Sequence, residues 1–360
     1  MSNVTVFNKE NTGYKTGQYP LFLGEPLGVF DTINVRYPQL EELYQKQVAQ
    51  IWNEHEIELG QDKMDMVNVD PNVVDLMVFT ISYQYLVDTV AAKSISSVLL
   101  QHCTNSEAEG MLTVQAFFEV IHARTYSHII KQTFLDPNQM IAQTYANTEV
   151  LRRAGPVIDV FEELANLPVD ASMDQKRQAI LLVIAALMGL EAVSFMGSFL
   201  VTFAIAETDV FQGIAKLVGL ICRDEVLHAR MDYAMLSILL ADPEWYRAFQ
   251  AIKHRIVEVF NEARRREHAF ADYLFSNGRQ MVGLNAPIIK EYIDYLAYPL
   301  YGIIGEVAPF DQPKENPCPL MDKYINPAEI QAAAQEIQIT SYRIGTVLDD
   351  LQTLDLGEWA

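Results

Sequence analysis

Basic residues are scarce. Lys and Arg number 26 against 47 Asp and Glu, giving a formal net charge of −21. Binding nucleic acid needs clustered cations that displace counterions from phosphates, so such a partner is excluded. The one basic run, Arg264–Arg266, is flanked by Glu262 and Glu267 and reads as a solvated helix face. Cysteine is also rare: Cys103, Cys222 and Cys318 are odd in number and widely spaced, without a CxxC. That excludes a disulfide framework and a cysteine zinc site. No GxGxxG turn, P-loop, alternating strand pattern or fixed-period repeat occurs. A charged-then-apolar leader is missing too, which points with the reduced cysteines to a cytoplasmic protein.

Half of the 360 residues are hydrophobic, enough for a large core. Residues 180–206, ILLVIAALMGLEAVSFMGSFLVTFAIA, carry a single charge, Glu191. The run is long enough to cross a bilayer. It lacks aromatic belts and a second span of its kind, and an ionisable group in lipid is costly. It reads as a helix buried on all sides of a bundle, with no membrane partner.

After an irregular arm over residues 1–36, helical periodicity continues almost without interruption. Asp70-Pro71 supplies a capping Asp and a Pro at the first helical position. Ser106 with Glu109 forms a capping box before the next apolar run, which ends before Asp136-Pro137. Further helices are expected over about 138–153, 174–206, 209–240, 244–277 and 286–303. The Pro-rich 311–320 reads as a loop, and the chain from about 340 as a tail. The fold class is all-α.

Glu-x-x-His occurs twice inside apolar helices, at Glu119/His122 and Glu225/His228. The i, i+3 spacing turns both side chains of each pair the same way, as a bundle requires to hold a metal between helices. A dinuclear carboxylate site takes two such pairs and one carboxylate from each of two other helices. Asp88 lies one helix before the first pair and Glu191 one helix before the second. Four carboxylates neutralise two divalent ions, and oxygen-rich ligands with one imidazole per ion suit iron or manganese better than zinc. Tyr126 shares the face of Glu119 and His122.

The motifs YQYLVD (83–88), EVIHARTYSHII (119–130), LEAVSF (190–195) and RDEVLHARM (223–231) resemble the small, radical-generating subunit of class I ribonucleotide reductase, from about Pro20 onward. The resemblance implies a ferritin-like helical domain over 37–325, a homodimer, and a C-terminal segment over 326–360 that docks a larger catalytic subunit. It implies Asp88, Glu119 and His122 as ligands of one metal and Glu191, Glu225 and His228 of the other, with a carboxylate free to bridge. The cofactor would be an oxo-bridged pair of Fe ions, with two Mn or mixed Fe/Mn as alternatives, and oxygen as co-substrate.

Tyr126 matches the radical tyrosine, and Phe195, Phe199 and Ile221 match apolar positions that shield it. Trp52 matches a surface-side tryptophan that Asp224 joins to His122 along a path for coupled electron and proton transfer. Gln84 and Arg223 match positions close to that path, and Tyr342 the tail tyrosine that hands oxidation on. In the acidic-apolar LDDLQTLDLGEWA, Leu351, Leu354, Leu356 and Trp359 are the expected anchors. Leu320 stands where the family pattern often has Trp. His55, His102, His128, His254 and His268 match no role. Two other readings stand beside this one: a ferritin-like di-metal oxidase, which shares the six ligands but would not need Tyr126, Trp52, Asp224 and a tail tyrosine together, and an iron-storage or iron-binding protein, which would be far shorter.

Overall fold

A computed structural model describes residues 6–281 and 283–325. Its helices are α1 (Gly13–Thr16), α2 (Pro38–Ala49), α3 (Gly60–Asn68), α4 (Pro71–Ser94), α5 (Ser106–Thr133), α6 (Pro137–Ala146), α7 (Thr148–Ala165), α8 (Met173–Gly189), α9 (Phe195–Ala206), α10 (Gln212–Leu240), α11 (Pro243–Leu274), α12 (Ala286–Ile303) and α13 (Asp322–Ile325). No strand forms among the described residues; two isolated bridge pairs, Phe22 with Cys103 and Met281 with Leu284, are the only β pairing there. The chain is all-α, as expected.

The apolar run is the axis of the bundle. From Ala179 to Ala206 every residue except Ala192 is buried, because α8 and α9 are enclosed by α4, α7, α10, α11 and α12. This is the buried-helix reading rather than the membrane one. The expectation of a single long apolar helix needs one correction, since Pro71–His102 also passes a span's length and hydropathy test. That segment carries the fully buried Asp88 and lines the bundle on one side.

Several expected boundaries move, each for a local reason. Asn105 caps α5, accepting from the Ala108 amide at 2.9 Å. The proposed Ser106–Glu109 box does not form: Ser106 Oγ accepts from the Asp31 amide, and Glu107 takes the amides of Arg36 and Tyr37. These bonds pin the N-terminal arm to α5. The helix expected over 138–153 divides at Asn147, whose side chain caps α7. That helix then continues past Pro156 to Ala165 because Val150, Ala154, Phe161 and Leu164 form one buried stripe. Between α8 and α9 the chain makes a π turn, Leu190–Ser194.

The start of α10 is held from outside. Asp209 and Phe211 have φ of 62° and 53°, so the helix begins at Gln212 rather than 209. Its first amides are capped by α3: Asp65 Oδ2 accepts from Phe211 and Asp62 Oδ1 from Ile214, each at 2.8 Å. A Cβ on Gly213 would lie 2.3 Å from Asp62 Oδ2, so this close approach requires glycine.

Leu187 is fully buried in α8. Leu187→Ala is expected to destabilise the fold by about 2–5 kcal/mol through lost burial and a residual cavity. A thermal midpoint equal to that of the unaltered chain would contradict this packing.

Candidate metal centre

Four helical segments meet at one buried point. Asp88 comes from α4, Glu119 and His122 from α5, Glu191 from the π turn, and Glu225 and His228 from α10, all with zero exposure. Single ligand atoms of Asp88, Glu119, His122 and Glu225 fall within 4.8 Å of one another, and so do those of Glu119, Glu191, Glu225 and His228. The two groups share Glu119 and Glu225. Each group could hold one ion, and the two would lie side by side.

The atoms converge without satisfying one another. His122 Nδ1 lies 2.9 Å from Glu225 Oε1 and 3.7 Å from Glu119 Oε2. His228 Nδ1 lies 3.0 Å from Glu119 Oε1 and 3.2 Å from Glu225 Oε2. Both oxygens of Asp88 and Glu119, Oε2 of Glu191 and Oε1 of Glu225 are buried without a hydrogen-bond partner. Such orphaned oxygens are expensive in an apolar interior. Carboxylate and imidazole donors converging in this way fit a pair of hard or borderline divalent ions.

Electrostatics in the metal-free state tell the same story. Burial, then the charges of neighbouring carboxylates, push Asp88 and Glu191 well above the usual carboxylate range. Burial would also raise Glu119, but its contacts with His122 and His228 outweigh this and hold it at about 2. Burial disfavours a charged imidazole, yet the carboxylates around His122 raise it well above normal, and His228 is raised to about 10. Protons thus take the place that cations would fill.

A second arrangement lies behind His122. Its Nε2 is 3.2 Å from Asp224 Oδ2, and Trp52 Nε1 donates to the same oxygen at 2.6 Å. A carboxylate on Nε2 fixes the tautomer that leaves Nδ1 free to ligate. Arg223 donates to Asp224 Oδ1 at 3.2 Å and to the Gln50 carbonyl at 2.7 Å, tying the Trp52 loop to α10.

The family model for the small chain of ribonucleotide reductase matches residues 29–317. The chain belongs to that family. It is 29% identical over 360 residues to the ribonucleoside-diphosphate reductase 1 subunit beta of Escherichia coli O157:H7, spanning 94% of this chain and 95% of that one. Enterobacteria phage T4 has a subunit beta 24% identical, spanning 92% and 93%. Among solved structures, the ribonucleotide reductase R2 subunit of Clostridium botulinum matches with a TM-score of 0.78 at 19% identity, covering 90% of this chain and 98% of that one. The dimanganese(II)-NrdF of Streptococcus sanguinis matches with a TM-score of 0.65 at 18% identity, covering 84% of this chain and all of that one. The ferritin-like fold expected from the motifs is therefore present.

Within this small-chain fold the remaining expected residues take definite places. Tyr126 has zero exposure and an unpartnered hydroxyl. Burial, then the charges of Asp88, Glu225 and Glu119, raises its phenol well above the usual value. Phe195, Phe199 and Ile221 are fully buried, with the two Phe rings stacked at 5.6 Å. Trp52 is 1% exposed and bonded to Asp224 through its ring nitrogen. Gln84 donates to Ser198 Oγ at 3.2 Å. Tyr342, Leu351, Leu354, Leu356 and Trp359 lie outside the described residues.

Two residues at the centre escaped the motif reading. Gln115, one turn before Glu119, donates to Glu191 Oε1 at 3.0 Å. Asp232, one turn after His228, is fully buried with both oxygens unpartnered. Burial moves its carboxyl to about 7, and it interacts with Glu191 and His228. The available signal was position: each continues the ligand face of its helix at i ± 4.

The protonated centre makes a pH prediction. Asp88, Glu191 and Asp232 hold protons more tightly folded than unfolded, and so do both imidazoles. Their contribution is full below the unfolded values and is lost as pH rises through the folded ones. Glu119 has the opposite sign, but its contribution fades only toward pH of about 2. The thermal midpoint of metal-free protein should therefore fall between pH of about 6 and 9. Anaerobic Mn(II) at ~100 times its dissociation constant should restore about 2.7 kcal/mol while releasing protons. A flat midpoint, or uptake without proton release, would contradict this account.

Proposed function

We propose that Asp88, Glu119, His122, Glu191, Glu225 and His228 hold two redox-active metal ions and that Tyr126 is the residue they oxidise. The observation that carries this reading is a buried, unpartnered phenol beside the carboxylates of a ribonucleotide reductase small chain. When bound, such a pair of ions supplies, together with oxygen, a one-electron oxidant. Iron and manganese both suit the donor set, and the working assignment is two Fe.

The residues divide the remaining tasks. Tyr126 would give up one electron and its phenolic proton to the oxidised centre, and the charges of Asp88, Glu225 and Glu119 bear on that phenol. Enclosure at zero exposure keeps water and reductants from the phenoxyl. Asp224 receives hydrogen bonds from both His122 and Trp52, so one oxygen joins the centre to the indole. Their rings lie 6.1 Å apart and 27° from parallel. Oxidation would leave by Trp52 and Tyr342 for a cysteine of the large catalytic subunit, which then takes a hydrogen from the ribose. The beta-subunit names of the relatives support ribonucleoside diphosphates as the substrates.

The C-terminal segment would dock that partner through Leu351, Leu354, Leu356 and Trp359. A cytoplasmic homodimer completes the reading, supported by the exposure of Phe117 and Val120 on α5 at 50% and 45%. The net charge weighs against nucleic acid as a further partner.

Low-temperature electron paramagnetic resonance tests the proposal. Metal-free protein is loaded with Fe(II), or with Mn(II) and a reduced oxygen species, then oxidised. A tyrosyl signal is expected in the unaltered chain and none in Tyr126→Phe, which should still take up both ions. Trp52→Phe should keep the signal but lose turnover with the large subunit. Undiminished turnover in Tyr126→Phe would sink the radical assignment.

A further inference from the structure

The π turn that delivers Glu191 is gripped by a buried ion pair from two other helices. Arg153 of α7 bonds Glu267 of α11 through Nε at 2.7 Å and also through Nη2. The same Nη2 donates to the Ser194 carbonyl at 3.1 Å, where the i→i+5 ladder of the turn returns to α9. The guanidinium is sandwiched between aromatic rings, 3.5 Å from the centroid of Tyr83 and 3.8 Å from that of Phe270. Glu267 also presses on α9: a Cβ at Gly197 would stand 3.2 Å from its Oε2.

Stability alone gives little reason for such a pair. Desolvating two charges costs about as much as their attraction returns, and apolar replacements of similar volume are often neutral or stabilising. What an Arg fork does supply is direction. A π turn holds one residue more than an α turn. If it annealed to α geometry, Glu191 would rotate by about 100° relative to α9. Nothing in LEAVS itself selects the wider ladder, since these are residues of ordinary helices.

We propose that the Arg153–Glu267 pair is a positioning device for the second metal position. It holds the π turn open at Ser194 and so sets the direction from which Glu191 reaches the ions. Gln115 secures the same carboxylate from α5. Tyr83 lies on α4, the helix of Asp88, so the clamp touches both carboxylate-bearing segments outside the Glu-x-x-His helices. Arg153 and Glu267 are not ligands and act only through the backbone.

This inference rests on Glu191 being a ligand, and Mn(II) uptake by the full chain tests both. Free and bound Mn(II) are measured anaerobically in the unaltered chain, in the apolar double variant Arg153→Met/Glu267→Met, and in Arg153→Lys, which keeps the charge but gives up the fork. The unaltered chain should bind two ions. Both variants should keep the first ion and bind the second at least about tenfold more weakly, as expected when an outer support of a ligand is lost. Their metal-free thermal midpoints should stay near that of the unaltered chain, which a purely structural role of the pair would not allow. A folded variant, of either kind, that takes up both ions at unaltered affinity overturns the clamp alone. Failure of the unaltered chain to take up a second ion overturns the ligand reading, and the clamp with it.

Discussion

The centre is organised by an excess of buried negative charge. Asp88, Glu119, Glu191, Glu225 and Asp232 have zero exposure, and Asp224 is nearly as buried. Among the described residues, Asp224 alone of the six is paired with an arginine. Isolated carboxylates cannot persist in an apolar interior, so the site must hold protons or metal ions. The apolar run of α8 and α9 is what makes the demand so strong. A more polar bundle would let water solvate the carboxylates and would weaken the pull on cations. The same enclosure isolates Tyr126.

Asp224 shows how one carboxylate can serve three neighbours without losing direction. Oδ2 accepts from Trp52 and faces His122 Nε2, while Oδ1 accepts from Arg223. Arg223 also reaches the Gln50 carbonyl two residues before Trp52. The indole is therefore held at its ring nitrogen, and the chain leading to it is held at Gln50. Its loop is further restrained because α3, which follows it, caps α10 through Asp62 and Asp65.

The sequence was most legible where chemistry and period coincide. Two Glu-x-x-His pairs, each preceded by a helix with one buried carboxylate, were enough to assemble the six residues the structure brings together. A helix start written in neighbouring residues, such as Asp70-Pro71, was equally plain. Non-local features were not. Ser106 has the residues of a capping box, but the arm claims its hydroxyl. The first turn of α10 has no cap of its own because Asp62 and Asp65 provide it from about 150 residues away. The π turn depends on Arg153 and Glu267, which no motif joins to Glu191. Asp232 was overlooked because a lone Asp beyond a motif resembles any other acidic residue on a helix.

The sharing of Glu225 between the two ligand groups bears on how the protein is made. A chain emerging from its N-terminus presents Asp88, Glu119, His122 and Glu191 long before α10 appears. Until then neither ion position has its full set, because each borrows from that last helix. Cations captured earlier would be held by partial, mobile donor sets, and the surplus carboxylates could still retain protons. Complete capture of either ion would therefore have to wait for α10.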